Sequence, residues 1–180
     1  HYSEQGIKLS TKMSLQWCFT GNSGMGKRAM ARIIARLYKA MGLVEKEVVS
    51  DFKADKLLGC TEEEAQLLLG EALKKANGGI LLFDEDSEKL TEIAGIQERI
   101  RALLANQLAV RPGSCMVIYA SRQYVLQNSP GDVEKVTDLI NVLVFEDYTT
   151  EELMRILKRK LEDEHLVMNP SARQHMQEFT

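Results

Sequence analysis

No stretch of the sequence approaches the roughly 20 consecutive apolar residues that cross a bilayer as a helix, and no secretory signal opens it. Cysteine and histidine are scarce, with three of each. None of Cys18, Cys60 and Cys115 lies in a C-x-x-C, and three thiols cannot all pair. Cys18 and Cys115 fall inside apolar, strand-like runs, the setting of reduced, buried thiols. We therefore expect an intracellular, reducing compartment: cytoplasm, nucleus or organelle matrix. His1, His165 and His175 make no ligand spacing with these cysteines, so no zinc site is expected. An excess of charge is missing too. The net charge of −3 gives no bulk attraction for nucleic acid or an anionic membrane. The basic run Lys158-Arg159-Lys160 reads as a solvated helix face.

What is present is ordinary for a folded domain: 180 residues, 44% hydrophobic and 27% charged. That length suits one domain with a full core, or one with a small appendage. The chain opens on His1 and runs to Thr180 inside a helical pattern, and we expect a piece of something larger.

Helical and strand patterns alternate. LQWCFT (15–20) is an apolar run that ends at Gly21. Met30, Ile33, Ile34, Leu37, Tyr38 and Met41 then follow helical spacing as one apolar face, closed by Gly42. EVVSDF (47–52) reads as a strand, and Thr61 to Glu64 as a capping box opening a helix to about Ala76. GGILLFDED (78–86) is the most apolar strand. Ile93, Ile96, Ile100, Leu103 and Leu104 predict the next helix, broken by Pro112-Gly113 before the strands CMVIYASR (115–122) and NVLVFEDY (141–148). From Thr149 a capped amphipathic helix follows, and Pro170 opens another. Alternation of this kind predicts an α/β fold, a parallel sheet with helices on both faces.

Two motifs carry chemistry. Gly21 to Lys27 fit G-x-x-x-x-G-K between a predicted strand and a predicted helix. Glycines 21, 24 and 26 let the backbone turn its N–H groups inward, and the helix start adds its positive end, which together make an anion cradle. Lys27 would reach the β and γ phosphates of a nucleoside triphosphate. The second motif, Ile80 to Glu85, places two carboxylates at the C-terminal edge of the sheet, where open α/β folds bind ligands. Asp84 would hold Mg2+, and Glu85 would polarise the attacking water.

The segments FTGNSGMGK, KADKLLG, GGILLFDE, MVIYAS, NSPG and FEDYTTEELMRILKR resemble AAA+ ATPases, in particular the branch containing sporulation protein K and the red-type Rubisco activases. The likeness runs from about residue 14 to 180. It implies a P-loop αβα sandwich with a five-stranded sheet ordered 5-1-4-3-2. It also implies a lead-in at 1–13, a large nucleotide-binding domain at 14–148 and a partial helical lid at 149–180. ATP or ADP would be held by Gly21, Asn22, Ser23, Gly24, Met25, Gly26, Lys27, Arg28 and Ala29, with Ser121 as a polar sensor. Other AAA+ domains, in a homo- or hetero-oligomeric ring or tandem array, and a protein client are the implied partners.

Four departures from that pattern set the functional expectation. Arg28 stands where the family has Thr or Ser, whose hydroxyl ligates Mg2+; a guanidinium offers no lone pair to a cation. It would either lie along a phosphate oxygen or point to solvent. Gly59-Cys60-Thr61 leaves no room for the family's aromatic pore residue. After Ser129-Pro130-Gly131 no arginine finger follows, and Lys135 is a poor copy of a bidentate fork. A finger is typically worth about 10³–10⁵ in rate. Ser121 ends its strand as a turn former does, and the lid arginine would lie past Thr180. We expect a nucleotide-binding domain with weak or absent hydrolysis and weak or indirect Mg2+, acting as a regulatory or scaffold subunit. The alternatives are a working ATPase that borrows its finger, and an interaction module whose nucleotide site has decayed. A small P-loop kinase fits the helical tail and the Asp-Glu ending less well.

Overall fold

A computed structural model describes residues 16–111, 113–122 and 140–172. Five parallel strands form its centre: β1 (Gln16–Thr20), β2 (Val49–Lys53), β3 (Ile80–Asp84), β4 (Met116–Ser121) and β5 (Ile140–Val144). Their order across the sheet is β2-β3-β4-β1-β5, which is the 5-1-4-3-2 arrangement expected. Pairing is parallel throughout, with Trp17 opposite Ile118, Ile80 opposite Met116 and Val49 opposite Ile80.

β3 is apolar on both faces because helices cover both. Ile80 and Leu82 point into a layer with Ala31, Ile34, Ala35 and Tyr38 of α1 (Lys27–Ala40). Leu81 and Phe83 point the other way, into a layer with Leu69 and Leu73 of α2 (Glu62–Ala76). Leu90 of the short α3 (Glu88–Thr91) and Ile100 and Leu104 of α4 (Ile96–Val110) complete that second layer. Alternate residues of a strand leave on opposite sides, so the two layers fix where the residues after Phe83 must point.

Local rules set most boundaries. Thr61 caps α2 by accepting from the Glu64 backbone N–H, while the Glu64 carboxylate accepts from the Thr61 N–H. Two expectations change. α1 does not bury its whole apolar set: Ile34 and Tyr38 go inward with Ala31 and Ala35, whereas Ile33, Leu37 and Met41 are half exposed. The two alanines let the helix lie close on the sheet, and closeness turns the neighbouring stripe outward. The helix predicted from Ile93 starts three residues later, because Gly95 adopts a left-handed φ of 73° as its N-cap. Ile93 is left exposed.

β5 also stops earlier than NVLVFEDY suggests, at Val144. The last strand-like bond is donated by Phe145 N–H to the Thr20 carbonyl at 2.7 Å, and the chain then leaves the sheet. The residues divide into two compact units, one up to Phe145 and one from Glu146. The second holds α5 (Thr150–Asp163), opened by a capping box of Thr149 and Glu152, and a turn capped by the Asn169 side chain. No helix among the described residues is long and apolar enough to cross a membrane. The three cysteines are free, and Cys18 is buried.

Candidate functional site

β1 delivers the chain to the glycine loop at the C-terminal edge of the sheet. Gly21 is fixed there by two neighbours: its N–H donates to the Ser121 carbonyl at 3.1 Å, and a Cβ in its place would collide with the carbonyl oxygen of Phe145. Its φ of 145° is in any case reserved for glycine. Gly24 and Gly26 are also left-handed. α1 begins on Gly26 with no side-chain cap and no acid in its first turn, unlike α2 and α5. Its leading N–H groups and positive helix end therefore face the loop without an anionic side chain of their own.

Lys27 is buried at 8% exposure, and its ammonium curls back into the loop. It donates to the Gly21 carbonyl at 2.5 Å, to the Asn22 carbonyl at 3.0 Å and to Asp86 Oδ2 at 3.2 Å. An ammonium has three N–H donors, and all three have acceptors here. Asp86 is as buried as Lys27, and its other oxygen accepts from Arg122 Nε at 2.5 Å. Arg122 continues to Glu88 at 3.1 Å. These acids hold its guanidinium pKa above the ordinary arginine value, the Asp86 hydrogen bond foremost.

The predicted carboxylate pair is separated by the pleat. Asp84 follows Ile80 and Leu82 onto the α1 face, and its Oδ1 accepts from the Asp86 backbone N–H at 3.0 Å. Glu85 follows Leu81 and Phe83 onto the α2/α4 face. It is 2% exposed, with its backbone N–H on the Ala120 carbonyl at 2.7 Å. Both its carboxylate oxygens are taken by Arg101 of α4: Nε lies 2.8 Å from Oε1 and 3.1 Å from Oε2, and Nη2 lies 2.5 Å from Oε2. Cys18 and Tyr119, paired across β1 and β4, sit on this same face. Burial pushes the Tyr119 phenol up to about 12 and the Cys18 thiol up to about 11.

The Arg28 side chain is half exposed, between solvent and β2. Its Nε donates to Asp51 Oδ1 of β2 at 3.1 Å, in a half-exposed ion pair. Ser121 is 5% exposed and gives its carbonyl to Gly21. Ser129 to Gly131 and Lys135 lie outside the described residues. Sequence reasoning missed Asp51, Asp86, Arg101 and Arg122 as partners. Asp86 was visible as the third acid of a run, and Arg101 as a cation beside the core position Ile100, but neither spacing names a contact.

A parallel sheet in this order, with a glycine loop and buried lysine at the end of β1 and acids at the end of β3, defines a P-loop domain of the AAA+ type. No family model matches the chain. Protein CbbX of Cereibacter sphaeroides is 31% identical over 169 residues, covering 88% of this chain and 52% of that protein. Stage V sporulation protein K of Bacillus subtilis is 26% identical over 186 residues, covering 98% and 55%. The AMPPCP-bound DnaA of Aquifex aeolicus superposes with a TM-score of 0.52 at 19% identity over 95% of this chain and 52% of that one, a likeness of fold. The chain resembles AAA+ proteins of the CbbX and sporulation protein K branch, and it spans about half the length of those relatives.

Proposed function

We propose that this domain binds a nucleoside triphosphate at residues 21–29 and hydrolyses it weakly or not at all, serving as a regulatory or scaffold subunit among other AAA+ domains. The observation that carries the reading is Lys27: a buried ammonium held inside a loop of left-handed glycines, at the uncapped start of α1. A triphosphate fits this cradle, since backbone N–H groups, a helix N-terminus and one cation are the parts that bind phosphate elsewhere.

A directly held Mg2+ does not fit as well. Of the carboxylates near the loop, Asp86 pairs with Lys27 and Asp51 with Arg28, whose guanidinium offers Mg2+ no lone pair. Nucleotide binding is accordingly carried by Lys27 and the loop, with little contribution from the metal. Glu85, to which the motif assigns the activation of water, is paired with Arg101.

Ring or tandem assembly with other AAA+ domains, and an unidentified protein client, follow from the resemblance. A domain that binds nucleotide without turnover can still complete such an assembly.

Calorimetric titration with ATP, with and without Mg2+, tests the reading. Binding of similar strength in both, lost in Lys27→Ala, is expected, together with negligible phosphate release. No heat in either condition means a decayed interaction module, and rapid turnover by the chain alone means a working ATPase.

A further inference from the structure

We propose that a cavity at the N-terminal edge of the sheet, between the ends of α2 and α4, is a second binding site, which takes a small monocarboxylate. It lies at the edge opposite the glycine loop and does not depend on nucleotide.

The cavity has a volume of about 130 Å³ and is lined by Leu73, Lys74, Asn77, Arg111 and Ser114. An engineered apolar cavity of about 150 Å³ holds benzene, so a ligand of about six heavy atoms is of the right size. The walls are fixed to one another. Gly78 N–H donates to the Ser114 carbonyl at 2.7 Å, and Ser114 N–H to the Arg111 carbonyl at 3.3 Å, which ties together the turns that enter β3 and β4.

The polar groups point to an anion. Ser114 Oγ is buried with no hydrogen-bond partner among the described residues, although buried hydroxyls are nearly always paired. The adjoining Cys115 thiol, which its hydroxyl influences, is a weak acceptor. Arg111 uses Nη1 on the Gly70 carbonyl at 3.2 Å, and its guanidinium lies against that glycine, where a Cβ would come within 3.4 Å of Nη1. Among the described residues, no carboxylate lies within ion-pair reach of Arg111 or Lys74. Cations at helix C-termini need no ligand to explain them. The buried hydroxyl beside them does.

Charge sets the class of ligand. Lys74 and Arg111 are opposed by the ends of α2 at Ala76 and α4 at Val110, each worth roughly −0.5 of an elementary charge. Glu45 and Lys46, beside Gly78 and Asn77, cancel one another. The balance is about +1, which one carboxylate neutralises and a phosphate dianion overshoots. Arg111 Nη2 and Nε form the fork that a carboxylate accepts from, and Leu73 gives an apolar wall for a short alkyl chain.

Titration of the whole chain with butyrate, without nucleotide, tests the site by calorimetry and by the amide shifts of Asn77 and Ser114. Saturable binding at about 1 mM or tighter is expected, within the efficiency limit for a ligand of this size. Butyramide should not bind, and phosphate should bind more weakly than butyrate. Ser114→Ala should weaken butyrate by about fivefold or more, yet leave the thermal midpoint of the unliganded chain unchanged or higher, since it removes a hydroxyl buried without a partner. Lys74→Gln, an exposed change, should weaken binding and flatten its salt dependence. Butyramide bound as well as butyrate overturns the anion reading, and phosphate bound as tightly or more tightly overturns the carboxylate assignment. No binding of butyrate, or binding that neither variant weakens, overturns the site.

Discussion

At the scale of single residues, the site is a competition for one ammonium. Asp86 occupies the third donor of Lys27, so an incoming phosphate must displace a carboxylate that is already buried and shared with Arg122. Charge-assisted hydrogen bonds typically contribute about 1.5–3 kcal/mol, and part of that opposes binding. Asp86→Asn should therefore tighten ATP binding, by roughly tenfold for each 1.4 kcal/mol relieved, read by calorimetry; weaker binding would show that Asp86 organises the loop instead. Arg28→Thr should make ATP affinity rise on adding Mg2+, where the native chain shows little change. If it does nothing, the hydroxyl is not what the metal lacks. The glycines, Lys27, Asp84 and Glu85 were legible as a motif because local spacing encodes them. The partners were not. Lys27 meets Asp86 across 59 positions and Arg28 meets Asp51 across 23, and such contacts depend on strand order and pleat, which no local pattern records.

At the scale of elements, the sequence pattern identified the long helices, though not the short α3, and did not say which part of each is buried. The six apolar positions of α1 span too wide an arc to be covered at once, and the small Ala31 and Ala35, which a hydrophobic count undervalues, decided the packed side. Gly95 likewise reset the start of α4 through a backbone angle rather than a side chain. Caps were the most readable feature, because the Thr-x-x-Glu spacing is itself the contact. In α5 the Glu152 carboxyl is held below its ordinary pKa, chiefly by the Thr149 backbone N–H and then by its hydroxyl. A lowered folded pKa means that the contribution is complete above the unfolded carboxylate value of about 4.3 and is lost as pH falls through the folded value. On acidification the Thr149 amide proton should lose its hydrogen-bonded chemical shift in the native chain. Its shift should stay nearly constant with pH in Glu152→Gln; equal titration in both would assign the change to another group.

For the whole molecule, strand order was beyond what alternation alone specifies: helices between strands imply a parallel sheet, and only the family resemblance supplied 5-1-4-3-2. That order has a thermodynamic consequence. The loop is tied to three strands at once, through Gly21 N–H on Ser121, Phe145 N–H on Thr20 and Lys27 on Asp86 after β3. A ligand that needs the loop in this shape must therefore stabilise the sheet itself. Trp17, the single tryptophan, reports on that unit: it lies in β1 and donates its indole N–H to the Tyr38 hydroxyl of α1 at 2.9 Å. Ligand at about 100 times its dissociation constant adds about 2.7 kcal/mol, and a chain of this size shifts its midpoint by roughly 2–4 °C per kcal/mol. Thermal unfolding followed by Trp17 fluorescence should thus move upward by about 5–10 °C with ATP. The shift should persist when Mg2+ is chelated, vanish in Lys27→Ala and survive in Arg101→Gln, because Arg101 acts on Glu85 and not on the cradle. A shift that disappears on chelation would mean that the metal, and not Lys27, carries the phosphate, and the account of Arg28 would have to be abandoned.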